Sequence, residues 1–418
     1  MKTLITPILF LLTAVSYGQK EYAKIILDSL CSDRYDGRGY VNDGDNRSAD
    51  FIIKELKNIG VKPFKKRGYE QHYFLNVNTF PYPLEVISDG DTLIPGVDYL
   101  VDPISGNAQG EFEVIEINSQ NYASIYKNQV DLSTQKPAQK IFAFNFTTVK
   151  DKEKLERIRK MAYAGMDYFP IIWVEKNKLT YRVGRTQKNY PLIILSESQY
   201  NQPKKINLKI HSTYKPQYKS KNVIGYIPGK RKRKYIVFTA HYDHLGRMGT
   251  DTYFPGANDN ASGTAMLLSL AKHYMQHRPK YSIVFCFFSG EEAGLEGSKY
   301  FVSNPYFKTK RIKFVLNIDI MGAADKGITL VNATEHPNDF DTFTRLNKEK
   351  NYLNKVAKRG PTANSDHYYF TTLGIPAFFI YSMGSVSNYH DIHDTAENTP
   401  LNKFDEVQSL LIDFVSSK

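Results

Sequence analysis

The 418-residue chain holds two cysteines and one tryptophan. Cys31 and Cys286 are too few and too far apart for a disulfide framework, and they exclude a thiolate ligand set for any metal. Cys286 falls inside an apolar run and reads as a small buried hydrophobe. Long apolar runs are also missing. The stretch from Leu4 to Val15 is shorter than the roughly 20 residues that a bilayer-spanning helix needs, and no stable membrane insertion is expected. The chain has no internal repeat and no low-complexity tract.

What is present is basic and globular. Lys and Arg number 55 against 43 Asp and Glu, a formal net charge of +12, with pI ≈ 9.2. The densest basic run, Lys230 to Lys234, lies in an expected turn and lacks the interleaved aromatics of a single-strand groove, so no nucleic-acid partner is expected. At 41% hydrophobic and 13% aromatic the composition is that of a packed protein, long enough for two or three domains. Residues 1–18 read as an export leader: Lys2, the apolar core, then the small-residue stretch Ser16-Tyr-Gly18. No cysteine follows the expected cut, which argues against lipid attachment. The destination is periplasm or medium.

From Glu21 to Gly60 the pattern is helical, with Ile52, Leu56 and Ile59 on one face and Gly60 as C-cap. From about Pro81 to Lys209, short apolar runs such as Phe112–Ile117, Ile141–Phe146, Ile171–Val174 and Leu192–Leu195 alternate with Gly, Pro and Asn. One charged helical stretch, Lys150–Ala164, interrupts them. This predicts an inserted, mostly-β domain over 81–215, between the two parts, 19–80 and 216–418, of the main domain. After it, strands are predicted at Tyr235–Ala240, Ser282–Phe288, Phe314–Ile318, Ile328–Val331 and Ala377–Tyr381. Helices are predicted near Ser262–Met275, Gly297–Val302, Asn338–Asn351 and Pro400–Ser416, the last capped by Thr399. Such alternation argues a doubly wound α/β domain.

Chemistry-bearing residues gather where the predicted strands end. His241 and Asp243 follow the first strand, and Asp243 could hold the second ring nitrogen of His241. Asp259 sits in the Gly-rich run Gly256-Ala-Asn-Asp-Asn-Ala-Ser-Gly263, where a carboxylate could bridge two cations or serve as a helix cap. Glu291 and Glu292 follow the second strand; adjacent carboxylates can divide between metal binding and proton transfer. Asp319 follows the third, where a buried carboxylate needs a partner. Ser365-Asp-His367 and Tyr389-His-Asp-Ile-His-Asp394 complete the series, where His390 could be another ligand and Asp394 its support. Two His and three carboxylates without cysteine suit a pair of zinc ions.

In order and spacing these motifs resemble the secreted co-catalytic di-zinc aminopeptidases, metallopeptidase family twenty-eight, over about residues 20–75 and 216–418. The resemblance implies a doubly wound, mostly parallel mixed sheet flanked by helices, with residues 81–215 loosely similar to a protease-associated insert. It implies two Zn2+, one on His241 and Asp319, the other on Glu292 and His390, bridged by Asp259, with Asp243, Asp366 and Asp394 in support. Glu291 would be the general base, passing a proton from a metal-bridging water to the leaving amine of a peptide with a free N-terminus. Tyr389 would steady the oxyanion, and a cis peptide is implied at Asp259-Asn260. Three alternatives stay open. One is a carboxypeptidase or dipeptidase of the same fold. A glutaminyl cyclase is disfavoured because Tyr389 stands where those relatives have Trp. A non-catalytic binding ectodomain is disfavoured because every ligand position is filled.

Overall fold

The computed structural model describes residues 5–64, 67–122 and 139–418. The first four residues of the expected leader lie outside them. Among the described residues, a nine-stranded mixed sheet forms the centre. Its middle is four parallel strands in the spatial order Tyr281–Phe288, Arg231–His241, Ile312–Ile318 and Ala377–Met383. Thr213–Ile227 adds antiparallel on one side and Gly327–Val331 on the other. The chain leaves Arg231–His241 for one neighbour and later returns to the opposite one. This creates a topological switch point, where an open α/β sheet opens a crevice beyond its carboxyl ends.

These four strands are nearly uninterrupted apolar runs because both faces are covered. Ile236, Phe238 and Ala240, with Ile283, Phe285 and Phe287, face a core shared with the helices Ile5–Leu30, Gly44–Ile59, Ser262–Gln276 and Phe404–Ser417. The alternate residues Tyr235, Val237, Val284, Cys286 and Phe288 face the opposite core, closed by Phe301 and Phe370 of the short helices Glu296–Ser303 and His367–Thr371. The fold is therefore the doubly wound α/β arrangement expected. Cys286 is fully buried and its thiol is pushed up by burial, as befits a packing residue.

A second sheet of eight strands lies within residues 85–210. Its middle is also parallel: Ala108–Asn118, Lys140–Asn145, Ile171–Glu175 and Leu192–Ser196. The helix Lys152–Gly165 packs on one face through Ile158 and Ala162. The other face shares its core with Leu245, Met248 and Phe254, which come from the loop that follows His241.

Two local expectations fail. The last helix begins at Phe404, with Lys403 rather than Thr399 at its cap. Backbone pairing intervenes: Leu401 donates to the Gly322 carbonyl and Asn402 accepts from Ala324, so the intended first turn is drawn into contact with another loop. The basic run 231–234 is already part of the strand Arg231–His241, as an exposed extension and not a turn. Among the described residues no helix is long and apolar enough to cross a membrane.

Candidate metal centre

His241 ends the first parallel strand, Glu291 and Glu292 follow Phe288, Asp319 follows Ile318, and His390 lies in the loop after Met383. The sheet thus delivers each candidate to one edge, and the loops bring them into contact. His241 Nε2 lies 3.2 Å from Asp259 Oδ1 and 3.3 Å from Asp319 Oδ1. His390 Nε2 lies 3.2 Å from Asp259 Oδ2 and 3.4 Å from Glu292 Oε2. Asp259 therefore turns one carboxylate oxygen to each histidine, and the cluster divides into two halves about it.

The loop that holds Asp259 is tied on every side. Asn258 and Asp259 donate their main-chain N–H groups to Asp394, at 2.8 and 3.1 Å. Asn260 donates to the Ile318 carbonyl and accepts from Gly263 and Ile320. Gly256 has φ +60°, and a Cβ there would stand 2.3 Å from His244 Cδ2, so only glycine lets the loop pass. The Asp259-Asn260 peptide is cis. Beneath it lies Arg38, fully buried, whose guanidinium donates to the carbonyls of Tyr242, Pro255, Gly256, Asp259 and Leu30.

Asp319 is oriented by a relay. Thr239 donates to Asn317, Asn317 to Ser365 at 2.7 Å, and Ser365 to Asp319 Oδ2 at 2.8 Å. Its other oxygen, Oδ1, is buried without a hydrogen-bond donor. That orphan, facing His241, tests whether a cation fits here. The Nδ1 atoms of His241 and His390 each face a main-chain carbonyl, of Asp243 at 3.1 Å and of Tyr181 at 2.9 Å, and so hold the proton. Each Nε2 then presents its lone pair to carboxylate oxygens, a donor set that makes sense around cations. Two zinc ions are the cofactor this set fits. Facing these carboxylates, the two histidines hold protons tightly while Asp259 and Glu292 stay ionised. Burial alone would lower His390, but Glu292 and Asp259 raise it to about 11. His241 is likewise raised, against burial, by Asp319 and Glu291. Burial would raise Glu292, yet the charge of His390 and hydrogen bonds from His244 and His390 hold it at about 2. Asp259 is held well below the usual carboxylate range, against burial, by the hydrogen bonds with the two histidines.

Glu291 differs. Burial, then the charges of Glu292 and Asp319, push its carboxyl well above the ordinary range despite His241. Its backbone N–H donates to Asp243 Oδ1 at 3.2 Å. Gly290, at φ +70°, makes the turn that swings it over the site.

Two of the supporting carboxylates, Asp243 and Asp394, make other contacts than expected. Asp243 holds His241 through its carbonyl; its carboxylate is 3.7 Å from that nitrogen and instead accepts from Tyr40 and Glu291. Asp394 makes no bond to His390 and binds the Asp259 loop, because the carbonyl of Tyr181 already occupies Nδ1. Asp366 is wholly buried and its carboxyl is pushed up to about 7 by burial, with Asp243 and Asp319 nearby. Tyr389 is half exposed and lies flat on His390, ring centroids 3.9 Å apart. His244, which the sequence does not single out, donates Nδ1 to Glu292 Oε1 at 2.9 Å and shares a donor cluster with Asp259. Its place directly after His241-Tyr-Asp243 is the signal that could have found it.

The model of peptidase family M28 matches residues 222–415, which contain every one of these donors. Over those residues, just under half of the chain, it is similar to peptidase family M28. A probable zinc metalloprotease of Pyrenophora tritici-repentis is 39% identical over 95 residues, 22% of this chain and 20% of that protein. A vacuolar membrane protease of Candida glabrata is 24% identical over 206 residues, 48% of this chain and 21% of that protein. The chain thus spans about a fifth of these curated relatives. Among solved structures, a zinc aminopeptidase from Bacillus subtilis superposes with a TM-score of 0.66 at 19% identity, covering 95% of this chain and 93% of that one. A peptidase M28 precursor from Shewanella amazonensis gives 0.66 at 16%, covering 97% and 96%. At that identity the likeness shows the fold, second sheet included.

Proposed function

We propose that the chain is a zinc-dependent exopeptidase, an aminopeptidase that cleaves the first peptide bond behind a free N-terminus. The observation that supports this most is Asp259 set between His241 and His390, with Glu291 in reach of His241 and Glu292. In this reading one half is His241, Asp319 and Asp259 Oδ1, and the other is His390, Glu292 and Asp259 Oδ2. When bound there, zinc supplies Lewis-acid polarisation of the carbonyl and makes water acidic enough to attack near neutral pH. The chain's own residues do the rest. Glu291, its carboxyl raised by burial and by its acidic neighbours, takes the proton of the attacking water and passes it to the leaving nitrogen. Tyr389 lies on His390 with its hydroxyl end desolvated and close to Asp259 and Glu292, both of which keep the phenol protonated as a donor to the oxyanion.

Charge favours an amine over a carboxylate at the substrate's end. The carboxylates of the two half-sites are committed to the ions in this reading, so the discrimination falls to the rim of the site. The cations at its rim are already engaged: Lys178 with Asp391, Arg182 with Asp102 at 3.0 Å, Arg185 with Glu296 at 2.7 Å. We also propose that residues 1–18 are an export leader and that 81–215 form an inserted unit. Removing the leader keeps Ala23, Ile26 and Leu27, through which the first helix packs on the core.

The test combines zinc analysis with a panel of amino-acid p-nitroanilides. Two zinc ions per chain, hydrolysis of free-amine substrates and none of N-acetylated ones are expected. The Glu291→Gln variant should keep both ions and lose at least about 100-fold in rate. Cleavage of blocked and free substrates alike, or a Gln variant at parental rate, would refute the reading. N-terminal sequencing of the exported protein tests the leader.

A further inference from the structure

The two halves of the metal centre are not held by the same part of the molecule. His241 finds the partner for its Nδ1 two residues away, in Asp243. His390 finds its partner across more than two hundred residues, in the segment that joins Ile171–Glu175 to Leu192–Ser196 of the second sheet. That segment runs along the rim of the centre. Tyr181 grips His390 with both main-chain groups, its N–H donating to the His390 carbonyl at 2.8 Å and its own carbonyl accepting from Nδ1 at 2.9 Å. The ring of Tyr181 stacks on Phe254, centroids 4.5 Å apart and 9° from parallel, two residues before Gly256 opens the Asp259 loop. On either side Lys178 pairs with Asp391, and Arg185 with Glu296 just beyond the Glu291-Glu292 turn. Ile392 packs into the core of the second sheet, where Tyr181 and Phe254 are also buried.

We propose that Tyr181 is a positioning residue for His390, and that through it the second sheet sets the affinity of one zinc half-site, that of His390, Glu292 and Asp259, while the half-site of His241 and Asp319 is independent of it. The proposal rests on the di-zinc reading above. Its physical content is the fixing of a tautomer and a ring plane. The Tyr181 carbonyl requires the proton on Nδ1, which leaves the Nε2 lone pair aimed at Asp259 and Glu292. The stack on Phe254 determines where that carbonyl stands. Outer partners of this kind are typically worth about 10–100-fold in metal affinity.

Calorimetric titration of zinc into the metal-free, full-length protein reads this without substrate. The parent should show two binding events. Tyr181→Ala, which loses the stack, should weaken one event by about 10–100-fold and leave the other unchanged. Tyr181→Phe, which keeps the stack, should restore the parental pattern. Phe254→Leu, which spares the segment itself, should weaken the same event as Tyr181→Ala. Equal weakening of both events in Tyr181→Ala, or no change in either, would overturn the proposal and leave the di-zinc reading standing. A parent that binds no second zinc would overturn both.

Discussion

Replacing Arg38 with methionine removes the buried cation that ties the Asp259 loop to the first helix and to Tyr242. The guanidinium is fully buried and, among the described residues, has no carboxylate hydrogen-bonded to it; five carbonyls and the Cys31 sulfur take its protons. One of them, Leu30, closes the first helix, whose negative end favours a cation. Hydrogen bonds to a charged group contribute about 1.5–3 kcal/mol each, and a buried carbonyl left without a donor costs about 1–3 kcal/mol. Methionine recovers the desolvation cost of the charge, several kcal/mol, so the net loss should lie near the ~3–5 kcal/mol typical of breaking a buried charged network from one side. Three of the five carbonyls, Pro255, Gly256 and Asp259, belong to the loop that presents Asp259 to both histidines. Zinc affinity should therefore fall at both half-sites, by about 10–100-fold, unlike the one-sided effect expected of Tyr181→Ala. Arg38→Lys keeps the charge but not the planar fork and should fall between. Urea unfolding of the metal-free protein and zinc titration measure the two effects. A methionine variant with parental stability and parental zinc affinity would refute the reasoning.

Ser365→Ala breaks the relay to Asp319 and leaves the Asn317 amide without its acceptor; a loss of about 1–3 kcal/mol and a weakened zinc event at the His241 half are expected, read by the same two methods. Asp45 gives a pH signature. Burial pushes its carboxyl from 3.8 to about 7 against the hydrogen bonds from Tyr218 and Ser220. The folded chain therefore holds this proton more tightly than the unfolded one, and the stabilisation present below the unfolded value is lost as pH rises toward 7, at about 1.4 kcal/mol per unit. Asp45→Asn should lack that decline, so its stability relative to the parent should rise across this window and level off above it in urea melts. Glu291→Gln should separate metal binding from turnover, as set out above.

Much of the centre can be read from the chain because apolar runs that end in a single polar residue say where a buried strand stops. Phe285–Phe288 before Glu291, and Phe314–Ile318 before Asp319, mark the carboxyl edge of a parallel sheet without any knowledge of the other strands. The Gly-rich run around Asp259 marks a tight loop, and at Gly256 a Cβ would stand 2.3 Å from His244 Cδ2. The supports of that centre are another matter. Asp394 sits four residues after His390, as a supporting carboxylate should, yet it serves Asp259. Thr399-Pro400 has the chemistry of a helix start, yet the main chain of Leu401 and Asn402 pairs with a distant loop.

The order of ligand types along the chain, and the strands that deliver them, follow from hydrophobic period and local turn chemistry, which any window of neighbouring residues contains. Which oxygen faces which imidazole nitrogen does not, because it depends on where main-chain groups of remote segments come to rest. Arg38 beneath the loop and Tyr181 behind His390 reach the metal centre only once two sheets have packed against each other, and no spacing in the sequence encodes that approach.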